Sequence, residues 1–268
     1  MSTILEQWRE GKGLPDMLVI DGHAHLGEWP HGANFDDAEE AASEAVAIMD
    51  ANGVHAACVL SGGYWVNGSD YHMGNDFLLD CVHRAPDRLI PFAHINACDS
   101  PANILAELLR VEGEGVRAIK LYNLPQGYPG DGPNLMPLYE FAQEHSMLLL
   151  NHYWSDQEIQ QLAIQFPEVT FIRGHGGATR LSRTLANVYD NIWSLSPLGV
   201  LEAGIRQFGP EKILFGSDAF MNPPSVGIGM VVYADIPDAH KRMILGLNMA
   251  RLLQRVGALP ATWAQWLV

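Results

Sequence analysis

The segment Asp21-Gly22-His23-Ala24-His25 places two histidines one residue apart at the end of an apolar run. Residues two apart in a strand share a face of the sheet, so both imidazoles can point to the same side. A lone histidine at the end of a strand is more often a hydrogen-bonded structural residue than a metal ligand. The pair by itself therefore leaves open a metal site and a chance pairing.

Later apolar runs also end in residues that can do chemistry, namely Lys120, His152, His175 and Asp218. Each has an ordinary structural interpretation, such as Asp218 capping a following helix or Lys120 reaching into solvent. Four histidines and an aspartate that each close an apolar run fit chance poorly. Imidazole and carboxylate together suit Zn, Fe or Mn, and such a metal lowers the pKa of a bound water to about 7. A nearby carboxylate or histidine can then move the proton.

These residues depend on eight short apolar runs for their position. Most of the runs are continuous or nearly so and end in Gly, Asn or Ser, which is typical of strands buried on both faces of a parallel sheet. The predicted strands are residues 17–25, 55–63, 89–96, 116–123, 147–154, 169–177, 188–196 and 212–220.

Stretches of helical period lie between the strands. The predicted helices are residues 36–53, 101–113, 135–146, 156–167 and 239–257, with a weaker one over 178–187 before the seventh strand. Eight strands alternating with helices, in about the 250 residues typical of the type, predict a (β/α)8 barrel of the TIM type. An open doubly wound sheet is the alternative. In a barrel the selected residues would all lie at the C-terminal strand ends, where barrel enzymes hold their active sites.

Composition narrows the class of protein. The 268 residues are 48% hydrophobic, which fits one barrel domain over residues 1–268. The net charge of −15 argues against nucleic acid or an anionic membrane surface as a partner. Three cysteines without C-x-x-C spacing argue against a disulfide framework or a thiolate zinc site. With a polar N-terminus and no membrane-length apolar run, we expect a cytoplasmic protein that acts on a small molecule.

The motifs "DGHAHLG", "VRAIKLYN", "LLLNHYW", "FIRGHGG", "ILFGSDAF" and "ILGLNMARLL" occur in this order within residues 17–254. In these motifs the sequence resembles the amidohydrolase superfamily, in its amidohydrolase-related (amidohydrolase-2) branch of metal-dependent hydrolases and decarboxylases. The resemblance implies a distorted (β/α)8 barrel that binds a divalent metal, usually zinc, with Mn²⁺ and Fe²⁺ as alternatives.

The resemblance also implies roles for single residues. His23, His25, His152 and Asp218 match the ligands of one metal ion, and His175 matches a proton-transfer or polarising residue beside it. In two-metal relatives the histidines matching His152 and His175 hold a second ion, and a carbamylated lysine on the fourth strand bridges both ions. Lys120 lies on that strand, but its "IKL" context is closer to the single-metal relatives.

Several departures from the family pattern are candidates for substrate recognition. The first set follows the fifth and second strands: Trp154 crowds the predicted mouth, and Tyr64 and Trp65 either line the pocket or pack a loop. The second set consists of Asn96, Lys120, Tyr122 and Arg173. Arg173 and Lys120 can pair with a substrate carboxylate, Arg in bidentate fashion. For Arg173 a salt bridge within the barrel is an equal alternative.

Three functions follow from this pattern. The first is a hydrolase in which metal-activated water attacks an amide, lactone or ester carbonyl of a small carboxylate-bearing molecule, with Asp218 as base. The second is a non-oxidative decarboxylase, or a hydratase, acting on an unsaturated or aromatic carboxylic acid at the same site. The third is a non-catalytic barrel that binds a metal or ligand. The compact chain favours the hydrolase. The C-terminal "ATWAQWLV" is either a contact strip for a homo-oligomer or a tail packed on its own barrel.

Overall fold

The computed structural model of the protein describes residues 3–11, 13–27, 37–62, 71–177, 179–193 and 199–267. Eight parallel strands within these ranges form a sheet in the order β1 to β8. They are β1 (Ile20–Leu26), β2 (Ala56–Ser61), β3 (Leu89–Ile95), β4 (Ala118–Leu121), β5 (Leu148–Asn151), β6 (Thr170–Arg173), β7 (Val188–Ile192) and β8 (Ile213–Phe215). All eight predicted strands are confirmed, although each is shorter than its apolar run. The predicted Tyr64 and Trp65 lie outside the described residues.

The sheet curves into a nearly closed barrel. Consecutive strands pair through parallel ladders, whereas in the described residues β1 meets the segment after β8 through one isolated bridge between Ala24 and Ala219. The expected (β/α)8 architecture is therefore confirmed, and the open doubly wound sheet is wrong. The ladder of β1 on β2 shifts between Asp21 and Ala24, and such an irregularity re-aims the side chains around it.

Helices cover the outside of the barrel. They are α1 (Ile4–Arg9), α2 (Ala38–Ala51), α3 (Tyr71–Arg84), α4 (Pro101–Gly113), α5 (Met136–Glu144), α6 (Asp156–Gln165), α7 (Arg180–Thr184), α8 (Val200–Phe208), α9 (Pro224–Val232), α10 (Asp238–Arg242), α11 (Asn248–Arg255) and α12 (Ala261–Ala264). A π-helical turn, Met243–Leu247, joins α10 to α11, so the predicted helix over 239–257 is continuous but irregular. Within the described ranges no helix is both long and apolar enough to cross a membrane.

Alternation along the strands sorts side chains between two layers. Residues such as Leu148 and Leu150 point into the barrel interior, and Leu149 between them packs against the helices. On β4, Lys120 shares the interior side with Ala118, because strand residues two apart share a face. The register pairs Lys120 with His94 of β3. Polar residues thus enter the interior near its C-terminal end, while apolar residues fill the rest.

The C-terminal segment packs on its own barrel. Trp263 and Trp266 are partly buried against the interior cluster of the barrel, and both rings lie edge-on to His55, at 5.2 and 5.9 Å between centroids. The Trp263 indole N–H donates to the Asp87 carbonyl at 2.6 Å. The two tryptophans therefore pack against the protein's own barrel, as the packed-tail alternative expects. Homo-oligomer formation stays a prediction.

Candidate metal centre

Two imidazoles and one carboxylate converge at the C-terminal end of the barrel. The Nε2 atoms of His23 and His25 are 3.1 Å apart, and the Asp218 Oδ1 lies 3.5 and 3.1 Å from them. All three side chains are buried. Burial, together with Lys120 and the neighbouring histidines, holds the pKa of His23 well below its usual value, so this imidazole is neutral. Imidazole nitrogens that face a carboxylate oxygen are the ligand atoms that a divalent cation such as Zn²⁺, Mn²⁺ or Fe²⁺ prefers.

The fourth predicted ligand, His152, lies beside this group of three. Its Nε2 is 3.4 Å from the Nδ1 of His23 and 2.8 Å from the Nζ of Lys120. Burial and Lys120 lower the pKa of His152 well below the usual value. Gly174 makes room for this ring, because a Cβ at that position would lie 2.1 Å from its Cδ2. His152 is therefore adjacent to the candidate ligands, with its Nε2 directed at Lys120.

His175 extends the histidine cluster towards solvent. Its Nε2 is 3.2 Å from the Nδ1 of His152. Partial burial and the nearby Lys120 lower its pKa from 6.5 to about 4. His175 and Asp218 both have left-handed backbones, with φ of 59° and 60°, and such strained residues cluster at functional sites.

Lys120 is a buried amine at the base of this cluster. Burial lowers its pKa well below the usual value, and Asp218 opposes the shift. Tyr122, the next candidate along the chain, has its ring centre 5.9 Å from the Lys120 Nζ and 6.3 Å from the His152 ring. Its hydroxyl lies 3.2 Å from that of Tyr153. The structure thus brings Lys120 and Tyr122 to the candidate metal centre.

Arg173 forms salt bridges within the barrel. Its Nε and Nη1 contact Asp190 at 3.0 Å and Asp156 at 2.7 Å, so the alternative of an internal salt bridge is the one observed. Arg173 and His175 are two residues apart, but β6 ends at Arg173 and His175 adopts a left-handed φ. The alternation of side chains therefore does not continue between them.

Trp154 also lies away from the predicted mouth. Its side chain is 7% exposed, donates to the Tyr139 hydroxyl at 3.2 Å and packs edge-on to Phe171 at 5.3 Å. These partners belong to the layer between the sheet and the helices. β5 ends at Asn151, three residues earlier, so the strand pattern no longer dictates where Trp154 points. The prediction that it crowds the mouth is wrong.

The last predicted substrate residue, Asn96, stabilises a turn. Its Oδ1 accepts the backbone N–H of Cys98 at 3.0 Å, directly after β3. This hydrogen bond gives the Asn96 side chain a structural role in the turn.

Trp193 is a site residue that the sequence interpretation missed. Its ring lies 4.3 Å from that of His175 and 6.4 Å from that of His23. The indole Nε1 is buried and finds no hydrogen-bond acceptor among the described residues. Its position directly after β7, like that of the other site residues after their strands, is the signal that would have identified it.

Comparisons with known proteins agree with this fold. A family model described as Amidohydrolase matches residues 20–255. The structure is similar to 5-carboxyvanillate decarboxylase LigW from Sphingomonas paucimobilis, at TM-score 0.69 and 16% identity over 89% of this chain and 99% of that one. A dihydroxybenzoic acid decarboxylase from Polaromonas sp. JS666 with bound manganese gives TM-score 0.70 and 15% identity over 89% and 97%. An uncharacterized TIM-barrel protein from Bordetella bronchiseptica gives 0.72 and 18% over 90% and 100%. A comparison with curated protein sequences found no match.

Proposed function

The chain belongs to the amidohydrolase family, and we propose that it is a metal-dependent hydrolase of a small carboxylate-bearing molecule. The convergence of His23 Nε2, His25 Nε2 and Asp218 Oδ1 within 3.5 Å of one another carries this proposal. One divalent cation, with Zn²⁺ as first candidate, would be held by these three residues and by His152. When bound, it supplies an acidified water and a polarised substrate carbonyl. Manganese in the Polaromonas decarboxylase makes Mn²⁺ a second candidate.

The protein's own side chains would move the protons. Asp218 is placed beside the donor atoms of both strand-one histidines, where its carboxylate can accept a proton from an attacking water. His175, with a pKa lowered to about 4, is neutral at neutral pH and can accept a proton or hydrogen-bond a substrate oxygen. His152 connects His175 to the buried end of the cluster through its Nδ1. Asp218 and His175 are therefore the proposed catalytic residues.

Lys120, Tyr122 and Trp193 are the proposed substrate-binding residues. A carboxylate placed near the Lys120 amine favours its charged form and thereby opposes the effect of burial on its pKa. The hydroxyls of Tyr122 and Tyr153, 3.2 Å apart, and the indole N–H of Trp193 supply further polar contacts. The three rings would border a planar or small aliphatic substrate.

A decarboxylase of an aromatic carboxylic acid is the second candidate. The aromatic border made by Tyr122, Tyr153 and Trp193 around His152 and His175 supports it, since a planar ring packs well against such side chains. In that reaction Lys120 would hold the carboxylate. As the bond between the ring carbon and the carboxylate breaks and releases CO₂, His175 or Asp218 would deliver to the ring carbon a proton that it had taken from solvent.

Isotope incorporation distinguishes the two reactions. Metal-loaded protein is incubated with carboxylate-bearing amides, lactones and esters, and with aromatic acids, in ¹⁸O-labelled water and separately in D₂O. The hydrolase places ¹⁸O in a newly formed carboxylate. The decarboxylase releases CO₂ and places deuterium on the ring carbon. Asp218→Asn is the negative control, and CO₂ release without ¹⁸O incorporation would contradict the hydrolase.

A further inference from the structure

The candidate metal centre spans the one gap in the barrel's ladder of strands. His23 and His25 lie on β1, and Asp218 follows β8. In the described residues β1 and the segment after β8 share an isolated bridge rather than a regular ladder. The relative position of the ligands therefore depends on the contacts across this seam between β1 and β8.

Asp21 makes side-chain contacts on both sides of the seam. Its Oδ1 accepts the backbone N–H of His23 at 3.1 Å and that of Ser217 at 3.0 Å. Its Oδ2 accepts a short hydrogen bond from the Ser217 hydroxyl. The same hydroxyl accepts the backbone N–H of Ala219 at 3.0 Å. The Asp21 carboxylate thus binds the backbone at the candidate ligand His23. It also binds the backbone on both sides of the candidate ligand Asp218, directly at Ser217 and, through the Ser217 hydroxyl, at Ala219.

Backbone hydrogen bonds also cross the seam at the candidate ligands, so a displacement of β1 relative to β8 would separate His23 and His25 from Asp218. The Asp218 N–H donates to the His23 carbonyl at 2.9 Å, and the Phe220 N–H donates to the His25 carbonyl at 3.3 Å. Asp21 is 1% exposed, so water cannot replace its acceptor atoms without opening the barrel. A buried carboxylate that keeps three donors satisfied is costly to remove.

We propose that Asp21 is a positioning residue of the metal centre, which with Ser217 holds β1 and β8 in the register that brings His23, His25 and Asp218 together. This inference rests on the proposed metal site, since it concerns the residues that would hold the ion. Asp21 itself faces Ser217 and the backbone rather than the ion. Partners that orient metal ligands commonly change metal affinity by about 10–100-fold when they are mutated.

The test compares metal affinity with fold stability in four proteins: the wild type, Asp21→Asn, Ser217→Ala and Asn248→Ala. Asn248 is the matched control, because it is buried and its amide also anchors β8, donating to the carbonyls of Pro210 and Ile213 at 2.8 and 2.9 Å. These contacts lie at the start of β8, away from Asp218. Affinity for Zn²⁺ and for Mn²⁺ is measured by chelator competition, and the stability of the metal-free proteins by urea unfolding.

We expect Asp21→Asn to weaken metal binding by about 10–100-fold and Ser217→Ala by a smaller factor. Amide hydrogen exchange of the metal-free proteins should show faster exchange at Asp218 and Ala219 in both variants. Asn248→Ala should lose stability while its metal affinity stays that of the wild type. If Asp21→Asn does not fold, Ser217→Ala and the exchange rates decide the question.

Two negative results have different meanings. If the wild type binds the metal and both seam variants bind it equally well, the positioning role is wrong and the proposed function stands. If the wild type binds neither metal, both the proposed metal centre and the positioning role of Asp21 are wrong. Equal affinity losses in Asn248→Ala and Asp21→Asn would also overturn the positioning role, since any destabilisation of β8 would then suffice.

Discussion

At the scale of single residues, two of the proposed functional residues have strained backbones. His175 and Asp218 adopt left-handed φ values that favour glycine, at a cost of about 1–2 kcal/mol each. Each lies two or three residues after the end of its strand, where the chain turns its side chain towards the cluster. The strain is therefore associated with the two side chains to which we assign proton transfer.

Asp218 and His175 should respond differently to substitution. Asp218→Asn and His23→Ala remove a charge or a donor from the converging group, so we expect metal content to fall and activity to be lost. His175→Asn leaves that group intact, so the metal should remain while kcat falls by about 10²–10⁴-fold. Metal analysis and steady-state kinetics on the same samples separate the two effects. Loss of half of two bound metals in His175→Asn would contradict the single-metal arrangement.

The state of Lys120 gives a second residue-scale prediction. Its amine is buried, has a pKa well below the usual value and lies 2.8 Å from the Nε2 of His152. With a single metal ion, the intact protein should have its unmodified mass, and Lys120→Gln should keep one metal per chain while KM for a carboxylate substrate rises. Native mass spectrometry under CO₂ provides the measurement. An added mass of one carbon dioxide that is absent in Lys120→Gln, together with two metals per chain, would support the carbamylated two-metal site instead.

The lowered pKa of His175 predicts how the stability of the metal-free protein depends on pH. The folded protein titrates this group at about 4 and the unfolded chain at 6.5, so the unfolded chain binds more protons between these values. The contribution of His175 is therefore complete above pH 6.5 and is lost as pH falls towards 4. Urea unfolding at pH 7 and pH 5 should show a larger loss for the wild type than for His175→Asn. Equal losses would contradict the shift.

At the scale of elements, the sequence predicts the strands better than the helices. Apolar runs identify all eight strands because both faces of each strand are buried. Helices α3 and α9 were missed because "YHMGNDFLLDCVHR" and "PSVGIGMVV" contain glycines and polar or β-branched residues that disfavour helices. Packing against the barrel compensates for this weak propensity. The error at Trp154 has a related cause, since alternation predicts side-chain direction only as far as the strand continues.

Helix α5 provides a test of backbone strain away from the site. Ser146 follows the C-cap His145 with a φ of 51°, a position where glycine is favoured. Ser146→Gly should raise the free energy of unfolding by up to about 1 kcal/mol, because it removes the steric cost of the Cβ. Ser146→Ala keeps the Cβ and should bring no gain. Urea unfolding measures both variants, and a loss of stability in Ser146→Gly would show that glycine's greater freedom in the unfolded chain outweighs the strain.

At the scale of the whole molecule, the sequence predicts that strand ends meet at one face, but not which side chains meet there. His23, His25 and Asp218 were selected correctly as a converging group because their types and their strand ends agree. Trp193 was missed because an aromatic residue after a weak strand has no distinctive chemistry on its own. The contacts of Asp21 with Ser217 and with the backbone of His23 were not predictable, since they depend on how the first and last strands of the barrel meet.

Closure of the barrel and occupancy of the metal centre should therefore be coupled. An ion held by His23 and His25 on one side and Asp218 on the other would join β1 to the segment after β8. In the described residues these two parts of the chain share only one bridge. Metal at about 100 times its Kd should stabilise the folded protein by about 2.7 kcal/mol, which corresponds to a rise in Tm of several degrees for a chain of this size. Thermal unfolding with added Zn²⁺ or Mn²⁺ and with a chelator measures this increase in Tm.

Two variants test whether the increase comes from the proposed centre. Asn187→Ala removes a buried amide that donates to the carbonyls of Ala163, Phe166 and Val169, so it should lower Tm but keep the metal increment. His23→Ala should lose the increment, and an unchanged increment in that variant would place the metal elsewhere.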